Sequence, residues 1–234
     1  MNEIIDFETY LIISHEKFEI HLLDIKNFKI LYKKEFIFRT DLEKTDLNLL
    51  SEFLENNIFM IEKVADGFVN NINVIIENNL ILNFDLGVRK KNYSGNITKP
   101  FLENTLSDIN ELFQENYNEY KLMHMLINKY TINGVSYSSL QDKINSDEIF
   151  VEIKLISISN SIIFEIENFL KKYQIRVNNY LDRTYTKDFL KNEKLDISQK
   201  AYKILNGFNT NEVRITSKTP QKLSFFEKFF QLFS

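Results

Sequence analysis

Three apolar runs open the chain, at residues 9–14, 18–24 and 28–38, rich in the Ile, Leu, Phe and Tyr side chains that favour strands. In the second run Phe18, Ile20 and Leu22 alternate with Glu19 and His21, so one face of a strand is apolar and the other wet. The pattern predicts an antiparallel meander. The period then changes. Leu47, Leu50, Leu54, Ile58, Ile61 and Ala65 recur every three or four residues, the spacing of a long amphipathic helix. Asp46 stands where an N-cap carboxylate accepts from the first unpaired backbone N–H groups. Residues 72–76 are almost continuously apolar, as in a buried strand.

A second unit follows. Residues 80–86 predict a strand. Thr98 caps a predicted helix that carries Leu102, Leu106, Ile109 and Phe113, with Pro100 tolerated in its first turn. Residues 122–132 predict a strand that ends at Asn133 and Gly134, a strong turn pair. Another strand covers 149–157. Ser159 or Ser161 opens a helix with Ile162, Ile163, Ile166, Phe169 and Leu170 on one face, and a last strand covers 175–181. A short helix at 196–205 has Asp196 as cap and Gly207 just past its end. Residues 209–222 are polar, contain Pro220 and read as a linker. The alternation of strand and helix periods places the chain in the α/β (α+β) class, and no internal repeat is present.

Residues 223–234 carry a different signal. At 100° per residue Leu223, Phe225, Phe226, Phe229, Phe230, Leu232 and Phe233 fill one half of a helix circumference. Ser224, Glu227, Lys228, Gln231 and Ser234 fill the other half. Such a helix either packs on the protein itself or on a second copy, or lies in a bilayer interface with its aromatic face down. Burying five Phe side chains contributes about 1.5–3 kcal/mol each before ordering costs. The polar face has few basic residues, so attraction to anionic lipid is weak; Lys218 and Lys222 add a little.

Composition narrows the function more than it defines it. A chain of 234 residues with a net charge of -4 lacks the basic balance of a nucleic-acid binder. The absence of Cys excludes disulfides and thiolate metal sites. Abundant Asn, Ile, Lys and Phe, with Ala only at Ala65 and Ala201, fit an AT-rich coding sequence. Residues 1–10 are acidic and lack the apolar core of a signal peptide, and no apolar run approaches the roughly 20 residues that span a bilayer. The expectation is a cytoplasmic protein, held at a surface only by its tail. His15, His21 and His124 are too scattered for a metal set, and lone histidines are usually satisfied side chains. Asp147 with Glu148, and Glu165 with Glu167, read as ordinary exposed carboxylates; Arg89, Lys90 and Lys91 beside Tyr93 read as a solvated loop. No phosphate-loop or zinc-protease motif occurs. No catalytic residue, cofactor or metal is expected.

The order and spacing of the middle of the chain resemble the inserted subdomain of the FtsA family, the bacterial actin-like proteins of cell division. Residues 74–88 resemble the family's crossing into that subdomain. Residues 122–134 are similar to its strand ending in a Tyr-x-Ile-Asp-Gly type turn, with Tyr130, Ile132, Asn133 and Gly134 in those places. Residues 151–177 are similar to its strand, Ser/Asn-rich cap, helix and following strand. The likeness spans about residues 9–185.

The resemblance implies an architecture. Residues 1–76 would be the first part of a partial actin-like (ribonuclease H-like) subdomain, and 77–181 an inserted strand–helix–strand–strand (SHS2-like) subdomain. Residues 182–207 would return to the first subdomain, 208–222 would be a linker and 223–234 an amphipathic tail helix. The family also ends in a linker and a short membrane-binding helix, which makes Leu223, Phe225, Phe226, Phe229, Phe230, Leu232 and Phe233 candidate membrane-binding residues. The implied function is a division adaptor on the cytoplasmic side of the inner membrane at the septum. It would dock division-machinery proteins, with self-association possible and nucleic acid excluded.

The chain departs from the family where ATP is held. Actin-like ATPases cradle phosphates on Gly-rich hairpins, but the turn between the first two strands is Ser14, His15, Glu16 and Lys17, whose glutamate repels phosphate. The second phosphate hairpin, the adenosine pocket and the FtsZ-docking subdomain belong to a lobe beyond the residues given. The expectation is therefore a shortened relative without ATP hydrolysis. A pilus-assembly adaptor of the same fold, and a small-molecule-binding enzyme without familiar motifs, are the alternatives.

Overall fold

The computed structural model describes residues 6–38, 46–93, 95–137 and 143–213. The first elements are β1 (Phe7–Ile13), β2 (Lys17–Asp24), β3 (Lys29–Ile37), α1 (Leu47–Ala65) and β4 (Asn71–Ile76). There follow β5 (Ile81–Lys91), β6 (Asn96–Thr98), α2 (Lys99–Asn116), β7 (Tyr120–Ile132), β8 (Val135–Tyr137), β9 (Lys143–Asn145) and β10 (Glu148–Ser159). The last are α3 (Asn160–Lys171), β11 (Arg176–Asp182), α4 (Arg183–Asp188) and α5 (Ile197–Leu205).

Five strands form one sheet in the order β11-β4-β1-β2-β3. β1, β2 and β3 are an antiparallel meander, while β4 runs parallel to β1 and β11 parallel to β4. A meander whose first strand is followed outward by two parallel strands, each reached through a helix, is the ribonuclease H-like arrangement of an actin-like subdomain, and it bears out the α/β class and the partial actin-like subdomain read from the sequence; the tail helix of that reading lies outside the described residues. α1 and α3 cover one face, where Leu11, Phe18, Leu54, Ile61, Val74 and Ile166 meet. α5 covers the other, over Tyr10, Ile12, Leu23, Ile75 and Leu181.

This second cover corrects the expectation of a wet face on β2. Glu19 and His21 lie beneath α5 and are 6% and 0% exposed. Alternation in one strand reveals that its two faces differ, not that one meets water.

Four further strands make an antiparallel sheet, β5-β10-β7-β8, with α2 packed on one face through Leu102, Leu106, Ile109 and Phe113. Its main elements follow the order strand, helix, strand, strand. β6 and β9 pair separately. β10 joins the two cores: Ile149 to Leu155 pack in the second, while Ile158 is buried in the first.

The local signals act as read. Asp46 accepts from the N–H groups of Asn48 and Leu49, and Thr98 and Ser159 cap α2 and α3. Asn133 and Gly134 both take positive φ, 52° and 77°, which closes a two-residue hairpin between β7 and β8. Two readings change. The strand placed at 80–86 continues to Lys91 because β10 offers it a partner along its whole length, so Arg89 and Lys90 sit in a strand and pair with Glu148 and Asp108. α4 was unforeseen: its six residues carry no apolar period, and it starts because the Asp182 carboxylate accepts from Tyr185 N–H at 2.7 Å.

Candidate functional site

In open α/β sheets ligands bind beyond the carboxyl ends of the parallel strands. Here those ends are Ile13, Ile76 and Asp182, followed by Ser14, Glu77 and Arg183. Arg183 leaves β11 straight into this position and is 4% exposed. Its Nη1 donates to the Glu77 carboxylate, and its Nη2 lies 3.8 Å from that of Glu16. Its Nε is buried and has no hydrogen-bond partner among the described residues. Two carboxylates thus converge on one guanidinium where an actin-like ATPase admits phosphate.

The two ends of the turn, Ser14 and Lys17, bond to each other. Ser14 N–H donates to Lys17 C=O at 3.1 Å, Ser14 Oγ donates to the same carbonyl at 2.9 Å, and Lys17 N–H donates to Ser14 Oγ at 3.2 Å. Glu77 N–H is spent on Ile13 C=O at 2.9 Å. Asp182, next to Arg183, is buried, which pushes its carboxyl above the usual range; the backbone bond from Tyr185 and the His124 ring work the other way.

Two other polar clusters lie apart from this end. His21 Nδ1 is 3.0 Å from Ser198 Oγ, and His21 Nε2 is 3.5 Å from Glu19 Oε2. The residue types are those of a nucleophilic triad. Ser198 and His21 are both fully buried, so no substrate reaches the hydroxyl, and the set ties α5 to β2. Burial pushes the Glu19 carboxyl up, but the His21 contact and the charge of Lys17 outweigh it and hold the group at about 2.

The second cluster clamps the end of the described chain. His124 Nε2 accepts from Asp182 N–H at 3.1 Å, which leaves Nδ1–H to donate to Glu212 Oε1 at 2.6 Å. Tyr185 Oη donates to Glu212 Oε2 at 2.7 Å and accepts from Asn209 Nδ2 at 2.7 Å. Burial, then the Glu212 charge, raises the Tyr185 phenol above its ordinary range. Beside this clamp a groove of about 420 Å³ opens between β7 and β11, with Lys121, Met123, Asn178, Tyr180, Leu205 and Val213 among its walls.

Among the described residues no group of three His, Asp or Glu is placed to hold a metal ion, and no helix is long and apolar enough to cross a membrane. The candidate membrane-binding residues, Leu223, Phe225, Phe226, Phe229, Phe230, Leu232 and Phe233, lie outside the described residues. His124 is a satisfied buried side chain, as lone histidines usually are, whereas His21 is bonded at Nδ1 alone and its Nε2 has only the 3.5 Å contact to Glu19. The Arg183 cluster and the Glu212 clamp were missed, because their members come from distant parts of the chain and share no local motif.

No protein-family model matches the sequence, and no curated protein matches it. Solved structures with a similar fold include the cytoplasmic domain of EpsL, an inner membrane component of the type II secretion system of Vibrio cholerae. Its TM-score is 0.41 at 9% identity, over 77% of this chain and 59% of that one. A PilM-PilN type IV pilus biogenesis complex gives 0.45 at 10% identity, over 76% and 48%. A Bacteroides thetaiotaomicron protein with an actin-like ATPase fold and unknown function gives 0.33 at 12% identity, over 80% and 56%. The chain therefore spans between 48% and 59% of the length of these structures. The fold assignment itself rests on the strand order described above.

Proposed function

We propose that this protein is a non-catalytic docking adaptor of a membrane-associated assembly machine. The observation that carries the reading is the set of Glu16, Glu77 and Arg183 at the strand ends. A tethered guanidinium already fills the place of a phosphate-neutralising cation, and the surrounding carboxylates repel a nucleotide. The surfaces are then the working parts. Phe59 on α1 and Phe164 on α3 are 70% and 71% exposed, as a docking protein needs.

The finer form proposed is an adaptor of the pilus- or secretion-assembly type on the cytoplasmic side of the inner membrane. The division adaptor is the second reading, favoured by residues 122–134 and 151–177. Both forms use residues 1–76 and 182–207 as an actin-like subdomain, 77–181 as the inserted subdomain, and Leu223, Phe225, Phe226, Phe229, Phe230, Leu232 and Phe233 as the membrane anchor.

Thermal melting with millimolar ATP and Mg²⁺ tests the non-catalytic part. The melting temperature is expected to stay within about 1 °C, and a rise of several degrees overturns it. Sedimentation with anionic liposomes at low salt tests the anchor. The full chain is expected to pellet, and a variant with Phe226→Glu, Phe229→Glu and Phe230→Glu to remain in the supernatant. A midcell band of tagged protein in dividing host cells would favour the division form over the assembly form.

A further inference from the structure

We propose that the free edge of β5 pairs with the same edge of a second copy of this chain, antiparallel and centred on Gly87. β5 ends the four-stranded sheet, and among the described residues it pairs with β10 and with no strand on its other side. It is 11 residues long and has no Pro, and Asp85 is the one charge between Ile81 and Val88. Such an edge offers its outward N–H and C=O groups to a further strand. By contrast β8, at the other end of this sheet, has three residues, and β3 carries Lys29, Lys33, Lys34 and Glu35. Charges of that kind keep an edge solitary.

The sequence of the strand selects a second copy as the occupant. Two strands related by a two-fold axis meet residue for residue in reverse order. With the axis at Gly87, Asp85 of each copy faces Arg89 of the other, and Leu86 faces Val88. Asp85 accepts from Asn128 Nδ2 at 3.4 Å and forms no ion pair among the described residues. Arg89 Nε lies 2.7 Å from Glu148, yet the side chain is 71% exposed, so a second carboxylate has access to it. A Cβ at Gly87 would stand 2.5 Å from Cζ of Phe150, so that ring lies on the strand where a side chain would be. The axis brings the two Phe150 rings side by side over the paired glycines. Other registers lose the match. An axis at Leu86 sets Asp85 against Gly87, and an axis at Val88 sets Leu86 against Lys90. An axis between two residues sets the α2 face of one copy against the outer face of the other.

α2 carries apolar surface beside this edge. Lys90 of β5 bonds to Asp108 at 2.7 Å, so that side of the helix lies over the edge strand. One turn further along the same side, Leu112 is 58% exposed. Tyr117, also exposed, packs on Phe84 of β5 with ring centroids 5.5 Å apart. A two-fold axis perpendicular to the sheet leaves both α2 helices on one side of the joined sheet, where these groups of the two copies approach each other.

Sedimentation of the full chain over a concentration series is expected to show a monomer–dimer equilibrium. Asp85→Arg makes every facing charge positive, and Arg89→Asp makes every facing charge negative. Each variant alone is expected to dimerise about tenfold or more weakly than the wild type. Both positions are exposed, so the fold is kept. A 1:1 mixture of the two variants restores both attractive pairs and is expected to regain the dimer. A wild type that stays monomeric up to about 1 mM overturns the proposal. Variants that dimerise as the wild type does also overturn it and give the contact to another surface. Weakened variants that stay monomeric when mixed overturn it as well.

Discussion

The five-stranded sheet is covered by helices on both faces, whereas the four-stranded sheet carries its helix on one. The burial of their strands differs accordingly. From Thr9 to Ile13 in β1, Phe18 to Asp24 in β2 and Ile72 to Ile76 in β4, every residue is buried. β5 instead alternates between half-buried and exposed positions along nearly its whole length. The doubly covered sheet must therefore house its polar side chains internally, and it does so with the Glu19–His21–Ser198 set and the Arg183–Glu77 pair, leaving Thr9 Oγ1, His21 Nε2 and Arg183 Nε without a hydrogen bond among the described residues. The singly covered sheet leaves its polar face to water and to exposed pairs such as Lys129 with Glu152 at 2.8 Å. Cores that must house ions are expensive to disturb; faces that meet water are free to change.

The largest effect is expected where the contrast is purest. Ile75→Ala, at a fully buried site under α5, should lose about 3–4 kcal/mol in urea unfolding, and Leu86→Ala, on the half-buried face of β5, about 1 kcal/mol. Equal losses would show that the second sheet is as tightly enclosed as the first.

A buried carboxylate gives the next effect. Glu19 is held at about 2 in the fold, below its ordinary 4.5. Its contribution is fully present above pH 4.5 and is lost as pH falls toward 2, a change of up to about 3 kcal/mol. Urea unfolding at pH 5 and pH 3 should show a steep acid loss in the wild type and a shallower one in Glu19→Gln. Parallel losses would remove the ion ladder from the account. The smallest effect belongs to the outer faces: Phe59→Ser and Phe164→Ser should each change stability by less than about 0.5 kcal/mol.

Much of this was legible along the chain. The period of three and four at Leu47 to Ala65, the caps Asp46 and Thr98, and the Asn133–Gly134 turn are local signals that the tertiary structure leaves in force. The burial of Glu19 and His21 was not legible, because the element that covers them, α5, lies some 175 residues away in sequence. The candidate site was legible only in part. Ser14 to Lys17 lacks the glycines of a phosphate hairpin, and that much is local. That Glu16 and Glu77 meet on Arg183 depends on strand order, which brings together β1, β4 and β11. α4 escaped because a single Asp182 cap, not a periodic apolar face, starts it.

β10 has a mechanical consequence. It is 12 residues long, about 40 Å when extended. One end is embedded among β5, β7 and α2, and the other, at Ile158, is sunk beneath α1 and α3. It is therefore a cantilever: a pull on the inserted sheet is delivered along a hydrogen-bonded beam into the first core, with no loop in between to absorb it.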